Sequence, residues 1–126
     1  MHWSGAWGRT GRARTGVGSG TVAVVQLRGE IDAANAEDLG RYLRGVGGAA
    51  REMVADLTGV TFLGAAGVRQ LVALEVDCGN RGAQWVLVAD PVLRRLLRVV
   101  GADRVLPVSG SLDQALQGWR RARCIQ

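Results

Sequence analysis

Lysine is absent from this chain, and histidine occurs once, as His2 near the N-terminus. A P-loop needs a lysine to reach its phosphates, so the glycine-flanked turns further along are weak candidates for nucleotide binding. Cysteine occurs only at Cys78 and Cys124, without metal-ligand spacing, and with one histidine no zinc site is expected. No run of about 18 apolar residues occurs, which excludes a helical membrane span. Residues 1–20 contain Arg9, Arg12 and Arg14 but no apolar core of about 7–15 residues, so they do not read as a secretory signal. A cytoplasmic protein is the expectation.

What is present is an ordinary globular composition, with 48% hydrophobic and 21% charged residues in 126 positions. That length supports one domain with one core. The net charge of +5 invites a nucleic-acid reading, but its distribution argues otherwise. Arginines cluster in residues 1–20 and again at Arg120, Arg121 and Arg123. Between 21 and 119, ten arginines face eleven acids, a net of −1. The body is not basic, and nucleic acid is not an expected partner.

Residues 1–20, rich in Gly, Arg, Ser and Thr with Trp3 and Trp7 outside any periodic pattern, read as a disordered or loosely packed leader. The domain is expected over 21–126. Val22 to Arg28 is a β-branched apolar run, with Gly29-Glu30-Ile31-Asp32 as its exit turn. Asn35 stands as an N-cap, and Ala36, Leu39, Leu43 and Val46 repeat at helical spacing up to Gly47-Gly48. Met53 to Leu57 forms the next strand, and Thr58-Gly59 is expected to bend the chain so that Val60, Phe62 and Leu63 return to the core. After Gly64-Ala65-Ala66-Gly67, a second helix carries Val68, Leu71, Val72, Leu74, Glu75 and Cys78, and ends near Gly82.

Gln84 to Ala89 is a third strand. Asp90 and Pro91 then open a helix as N-cap and first residue. Val92, Leu93, Leu96, Leu97 and Val100 are expected to form its inward stripe, with Arg94, Arg95 and Arg98 outward, and Gly101 closes it. Val105 to Val108, containing Pro107, reads as an edge strand. Ser111 and Gln114 form a capping box ahead of Leu112, Ala115, Leu116 and Trp119. Strands alternating with helices at short spacing predict an α/β layer: a mostly parallel sheet of about four to five strands with about four packed helices.

Three segments carry a resemblance to a known family: Gly29-Glu30-Ile31-Asp32, Asp56-Leu57-Thr58-Gly59-Val60-Thr61-Phe62, and Gly82 before the next strand. In this order they resemble the STAS domains of anti-sigma factor antagonists, over roughly Val22 to Trp119. The resemblance implies the STAS fold and a non-enzymatic protein-binding regulator of transcription, without cofactor, whose partner is an anti-sigma factor of the kinase type. It implies no direct membrane insertion and leaves self-association open. It also implies a partner-binding surface at Glu30, Asp32, Gly64, Ala65, Ala66, Gly67, Val68 and Arg69. In the family the turn usually reads Asp-Ser-(Ser/Thr)-Gly, and its first Ser is phosphorylated. Here Ala65 occupies the phosphoacceptor position and Gly64 that of the Asp, so control by phosphorylation at that point is not expected.

Other readings remain open. The chain could be a STAS subunit of a membrane transporter or stress-sensing complex, or a small-ligand or nucleotide-binding module. Cys78 and Cys124 could form a redox switch, against two unpaired thiols in a reducing cytoplasm. Thr58 and Thr61 suit a turn and a strand better than a displaced phosphosite. Glu30, Asp32 and Asp56 have no His, Lys or Ser arranged with them for catalysis, and a turn or cap explains each.

Overall fold

The computed structural model describes the backbone of residues 2–7 and 11–17, and backbone and side chains from 22 to 117. Six strands form one sheet in the order of the chain: β1 (His2–Trp7), β2 (Gly11–Val17), β3 (Val22–Ile31), β4 (Glu52–Leu63), β5 (Gln84–Val88) and β6 (Val108–Ser109). β2 runs antiparallel to its neighbours β1 and β3, and the last four strands are mutually parallel. Helices α1 (Ala36–Ala49), α2 (Ala65–Arg81) and α3 (Pro91–Val99) connect the parallel strands, and residues 112–117 form a further helical segment, α4. None of the described helices is long and apolar enough to cross a membrane.

The period-two alternation of the strands divides the interior in two. Val25, Leu27, Met53, Ala55, Leu57, Trp85 and Leu87 point to one face, where Leu39 and Leu43 of α1, Leu71 and Leu74 of α2, and Leu93 and Leu97 of α3 cover them. Val22, Val54 and Val88 point to the other face and meet Ala115, with Leu112 and Leu116 beside it. α1, α2 and α3 share one face of the sheet and α4 covers the other, as the right-handed rule for consecutive parallel crossovers requires. Asp90 caps α3 by accepting from the Leu93 N–H at 2.8 Å, and the Ser111 hydroxyl accepts from the Gln114 N–H at 3.1 Å.

Several expectations change here. The segment read as an unstructured leader contains β1 and β2, so the sheet has six strands where four to five were expected. β2 pairs antiparallel with β3 from Arg12 opposite Arg28 to Val17 opposite Ala23. An added edge strand needs only main-chain donors and acceptors, so a sequence without apolar alternation can still supply one. The edge of β3 is thereby covered. α1 continues through Gly47 and Gly48 to Ala49, and the Arg81 guanidinium donates to the Gly47 carbonyl at 3.2 Å near its end. β6 begins at Val108, later than expected, and Val105 lies in the preceding turn. On α3 only Leu93 and Leu97 are buried, whereas Val92, Leu96 and Val100 are exposed. Trp119 and Cys124 lie outside the described residues.

β4 shows the largest departure. It runs unbroken for 12 residues, where a bend at Thr58-Gly59 was expected. Gln26 pairs with Asp56 but Arg28 with Gly59, and Gly29 pairs with Val60 but Glu30 with Phe62. β4 therefore gains one residue on β3 at each of two bulges. The inward positions become Leu57, Val60 and Leu63, three apart instead of two, and Phe62 is turned out with 53% of its surface exposed. Its expected return to the core does not occur. A Cβ on Gly59, at the first bulge, would lie 2.9 Å from the Leu27 carbonyl oxygen. Gly59→Ala is predicted to cost about 1–3 kcal/mol through this backbone contact. Chemical denaturation measures it, and unchanged stability would mean that the bulge tolerates a side chain.

Candidate functional site

The last residues of β3 and the first of α2 are separate in sequence but joined in space. The Gly64 N–H donates to the Ile31 carbonyl at 2.8 Å, and the Val68 N–H donates to Gly64 O at 3.1 Å as α2 begins. The helix start lies against β3 because Gly67 has no side chain. A Cβ there would lie 2.6 Å from both Ile31 Cγ2 and Leu63 Cδ1. This is a packing reason for glycine at a position that is buried and not itself available to a partner.

The loop between β3 and α1 is held by Asn35, the one buried polar residue in the described part of the chain, 3% exposed. Asn35 occupies the N-cap position, but its side chain does not cap the helix. Its Oδ1 accepts from the Asp32 N–H at 2.9 Å, and its Nδ2 donates to the Glu30 carbonyl at 2.8 Å. Asp32 Oδ1 in turn accepts from the Ala34 N–H at 2.9 Å. The amide, able both to donate and to accept, clamps the two ends of a tight turn. Sequence reading identifies Asn35 only as a helix start, because its partners are main-chain groups that any residue would present.

Glu30, Asp32 and the Gly64 to Arg69 segment thus form one continuous surface. Glu30, Ala65 and Arg69 are exposed, while Asp32, Gly64, Ala66 and Val68 are half-buried. Phe62 belongs to the same surface: the point where a Cβ would stand on Gly64 is 3.3 Å from Phe62 Cε2. The extra bulge residue is the cause, and only strand register reveals it. The N-cap of α2 is Gly64, so no side chain caps the helix, and its first turn carries no acid. Further along α2, Asp77 is engaged by Arg81 at 2.8 Å. Arg69, by contrast, forms no ion pair with another described residue and stands as the free cation of this surface.

The other candidates have local roles. Asp56 Oδ1 accepts from both the N–H and the hydroxyl of Thr58, at 3.0 and 2.7 Å, and the Thr61 hydroxyl donates to the Gly29 carbonyl at 3.3 Å. Cys78 is buried on the inner side of α2, with 1% of its surface exposed. Burial pushes its thiol above the ordinary range, against the opposing pull of Arg81, so little thiolate forms near neutral pH. Its suggested partner Cys124 is not among the described residues.

Two predictions follow from this geometry. Asn35→Ala leaves the Asp32 N–H and the Glu30 carbonyl without their partner, and is expected to cost about 1–3 kcal/mol in urea unfolding. A loss indistinguishable from zero would show that the turn holds without the amide. Cys78 is expected to resist iodoacetamide in the native protein and to react fully in urea, read by mass spectrometry of the peptide that carries it. Rapid native labelling would contradict its burial.

Comparison with known proteins gives a consistent result. The sequence pattern of the STAS domain family matches residues 15–115. Osmosensory protein A of Mycobacterium tuberculosis is 41% identical over 72 residues, which cover 57% of this chain and 46% of that protein. The chain therefore matches less than half the length of that relative. Anti-sigma-F factor antagonist RsfB of the same species is 33% identical over 106 residues, covering 81% of this chain and 84% of its own length. The crystal structure of an anti-sigma factor antagonist from Mycobacterium paratuberculosis superposes with a TM-score of 0.73 at 33% identity, over 84% of this chain and 92% of that one.

Proposed function

The chain belongs to the STAS domain family, and from that premise we propose that it is a non-enzymatic regulator that binds an anti-sigma factor of the kinase type. Its similarity to anti-sigma factor antagonists over most of its length supports the partner class. The observation that carries the reading is the joined surface of Glu30, Asp32, Phe62, Gly64 to Ala66, Val68 and Arg69, fastened by the Gly64 to Ile31 hydrogen bond. An exposed aromatic ring next to the Gly64 turn, and an exposed arginine on the helix that the turn opens, suit a protein interface, where such residues anchor binding.

Ala65 gives the surface its control property. A methyl group has no oxygen to accept a phosphoryl group. A phosphate at this point would bring roughly −1.5 to −2 charges into the contact, to be desolvated on binding. The helix N-terminus tolerates such a charge, but an interface built around Phe62 and Ala65 would not. We read the domain as held in a form equivalent to the unphosphorylated one, binding its partner in the cytoplasm without a phosphoswitch at Ala65.

The test is a binding titration against purified kinase-type anti-sigma factors. Wild type is expected to bind one of them, and Arg69→Glu or Val68→Asp to weaken the complex about tenfold or more. Ala65→Ser is expected to bind as wild type does until it is phosphorylated. If neither substitution weakens a complex that forms, this surface is wrong; if no such factor binds, the partner class is wrong. The match to part of Osmosensory protein A favours a second reading, a subunit of a stress-sensing assembly. Copurification with components of such an assembly in place of an anti-sigma factor would select it.

A further inference from the structure

Strand register brings Arg12, Arg14 and Arg28 onto one face of the sheet. Arg12 lies directly opposite Arg28, and Arg14 opposite Gln26. Residues directly opposed on antiparallel strands share a face. On β3 this is the face that α4 covers at its start: Val22 and Val24 pack with Ala115 and its neighbours, whereas Gln26 and Arg28, further along, are exposed. α1, α2 and α3 lie on the other side, over Val25 and Leu27.

Like charges directly opposite on neighbouring strands repel. Arg28 forms no ion pair with another described residue, and neither β1 nor β2 contains an acid. The acids on this side of the sheet are Glu30, Glu52 and Asp56 on β3 and β4, and Asp113 on α4. Asp56 Oδ1 already accepts two hydrogen bonds from Thr58. Positive charge is therefore concentrated toward β2, and an anion brought from outside relieves the repulsion there. By sequence, Arg9 falls between β1 and β2, and Arg120, Arg121 and Arg123 follow α4, so further arginines are tethered beside the same face.

We propose that this face of β2 and β3 is a peripheral docking surface for an anionic lipid bilayer. A bilayer offers its anionic headgroups in a plane, and the face that meets them is a sheet. On β3 and β4 the one large apolar residue that is exposed is Phe62, at the far end of β4, so a protein partner would meet arginine without the apolar anchor that holds most interfaces. Single-stranded nucleic acid stacks its bases on aromatic rings. The aromatic residues of β1 are placed on the other face, with Trp3 opposite Thr15 and Trp7 opposite Gly11. The contact is electrostatic and requires no insertion. Arg12, Arg14 and Arg28 are outside the surface assigned to anti-sigma factor binding, so the proposal does not rest on that reading.

The experiment is cosedimentation of the full chain with vesicles of phosphatidylcholine alone and of phosphatidylcholine mixed with phosphatidylglycerol. Wild type is expected to sediment with the mixed vesicles only, and to be released as salt rises. Arg28→Gln is expected to lower the partition coefficient about fivefold, and the Arg12→Gln, Arg14→Gln double substitution about tenfold or more. The Arg95→Gln, Arg98→Gln pair removes the same charge from exposed positions of α3, across the sheet, and is expected to change it by less than about twofold. Circular dichroism checks that each variant is folded, and Arg28→Gln, at an exposed position, keeps the test if the β2 pair unfolds its strand. No binding to the mixed vesicles, an equal loss from the α3 pair, or indifference to the β2 pair and Arg28→Gln would overturn the proposal. So would a DNA oligonucleotide, single-stranded or duplex, that binds where vesicles do not and is lost in the same variants, because the face would then serve nucleic acid. Arg69→Glu is expected to bind the mixed vesicles nearly as wild type does, so this reading and the anti-sigma factor reading fail separately.

Discussion

Between Leu57 and Leu63 the chain must keep its apolar side chains on the core while gaining two residues on its parallel neighbour. Two bulges in β4 meet that requirement, and much of the surface at this end of the sheet depends on them. Each bulge resets the pleat, so that Leu57, Val60 and Leu63 all face inward. Without the second, Phe62 would share the alternation of the strand and the exposed ring would be lost. The same register brings Gly64 level with Ile31, where its N–H finds the Ile31 carbonyl at 2.8 Å.

Small residues then decide how closely α2 approaches. Gly67 admits Ile31 and Leu63 where any Cβ would collide, and this close seat presents Ala65 and Arg69 outward. The Asn35 amide holds the facing turn in place from below. Close packing at Gly67 and the Asn35 hydrogen bonds fix the conformation of both halves, and a preorganised surface has a lower entropic cost of contact. Ala65 brings no hydroxyl and Gly64 no carboxylate to the turn.

Much of the fold is legible in the sequence because burial imposes a period. α2 and β5 can be read from their apolar spacing, and α3 from Asp90, Pro91 and Gly101. β1 and β2 are not legible: they join the sheet through main-chain pairing, which leaves no side-chain pattern in a segment of Gly, Arg, Ser and Thr. The exposure of Val92, Leu96 and Val100 is equally hidden. Five apolar residues at helical spacing predict one wide stripe, yet of these only Leu93 and Leu97 reach the core. Which of these residues reach the core is decided by how α3 lies on the sheet.

The sequence by itself determined the α/β order from β3 onward, the ends of α2 and α3, the inward residues of the regular strands, and the lack of an acceptor oxygen at Ala65. These are local properties, set by side-chain chemistry and by periods of two and 3.6 residues. Tertiary structure alone decided that Phe62 faces solvent, that Asn35 clamps a turn instead of capping a helix, that Gly67 is a packing site, and that Val92, Leu96 and Val99 of α3 stay exposed. Each of these depends on which backbone lies opposite a residue. Register and neighbouring elements set that relation, and no window of the sequence contains it.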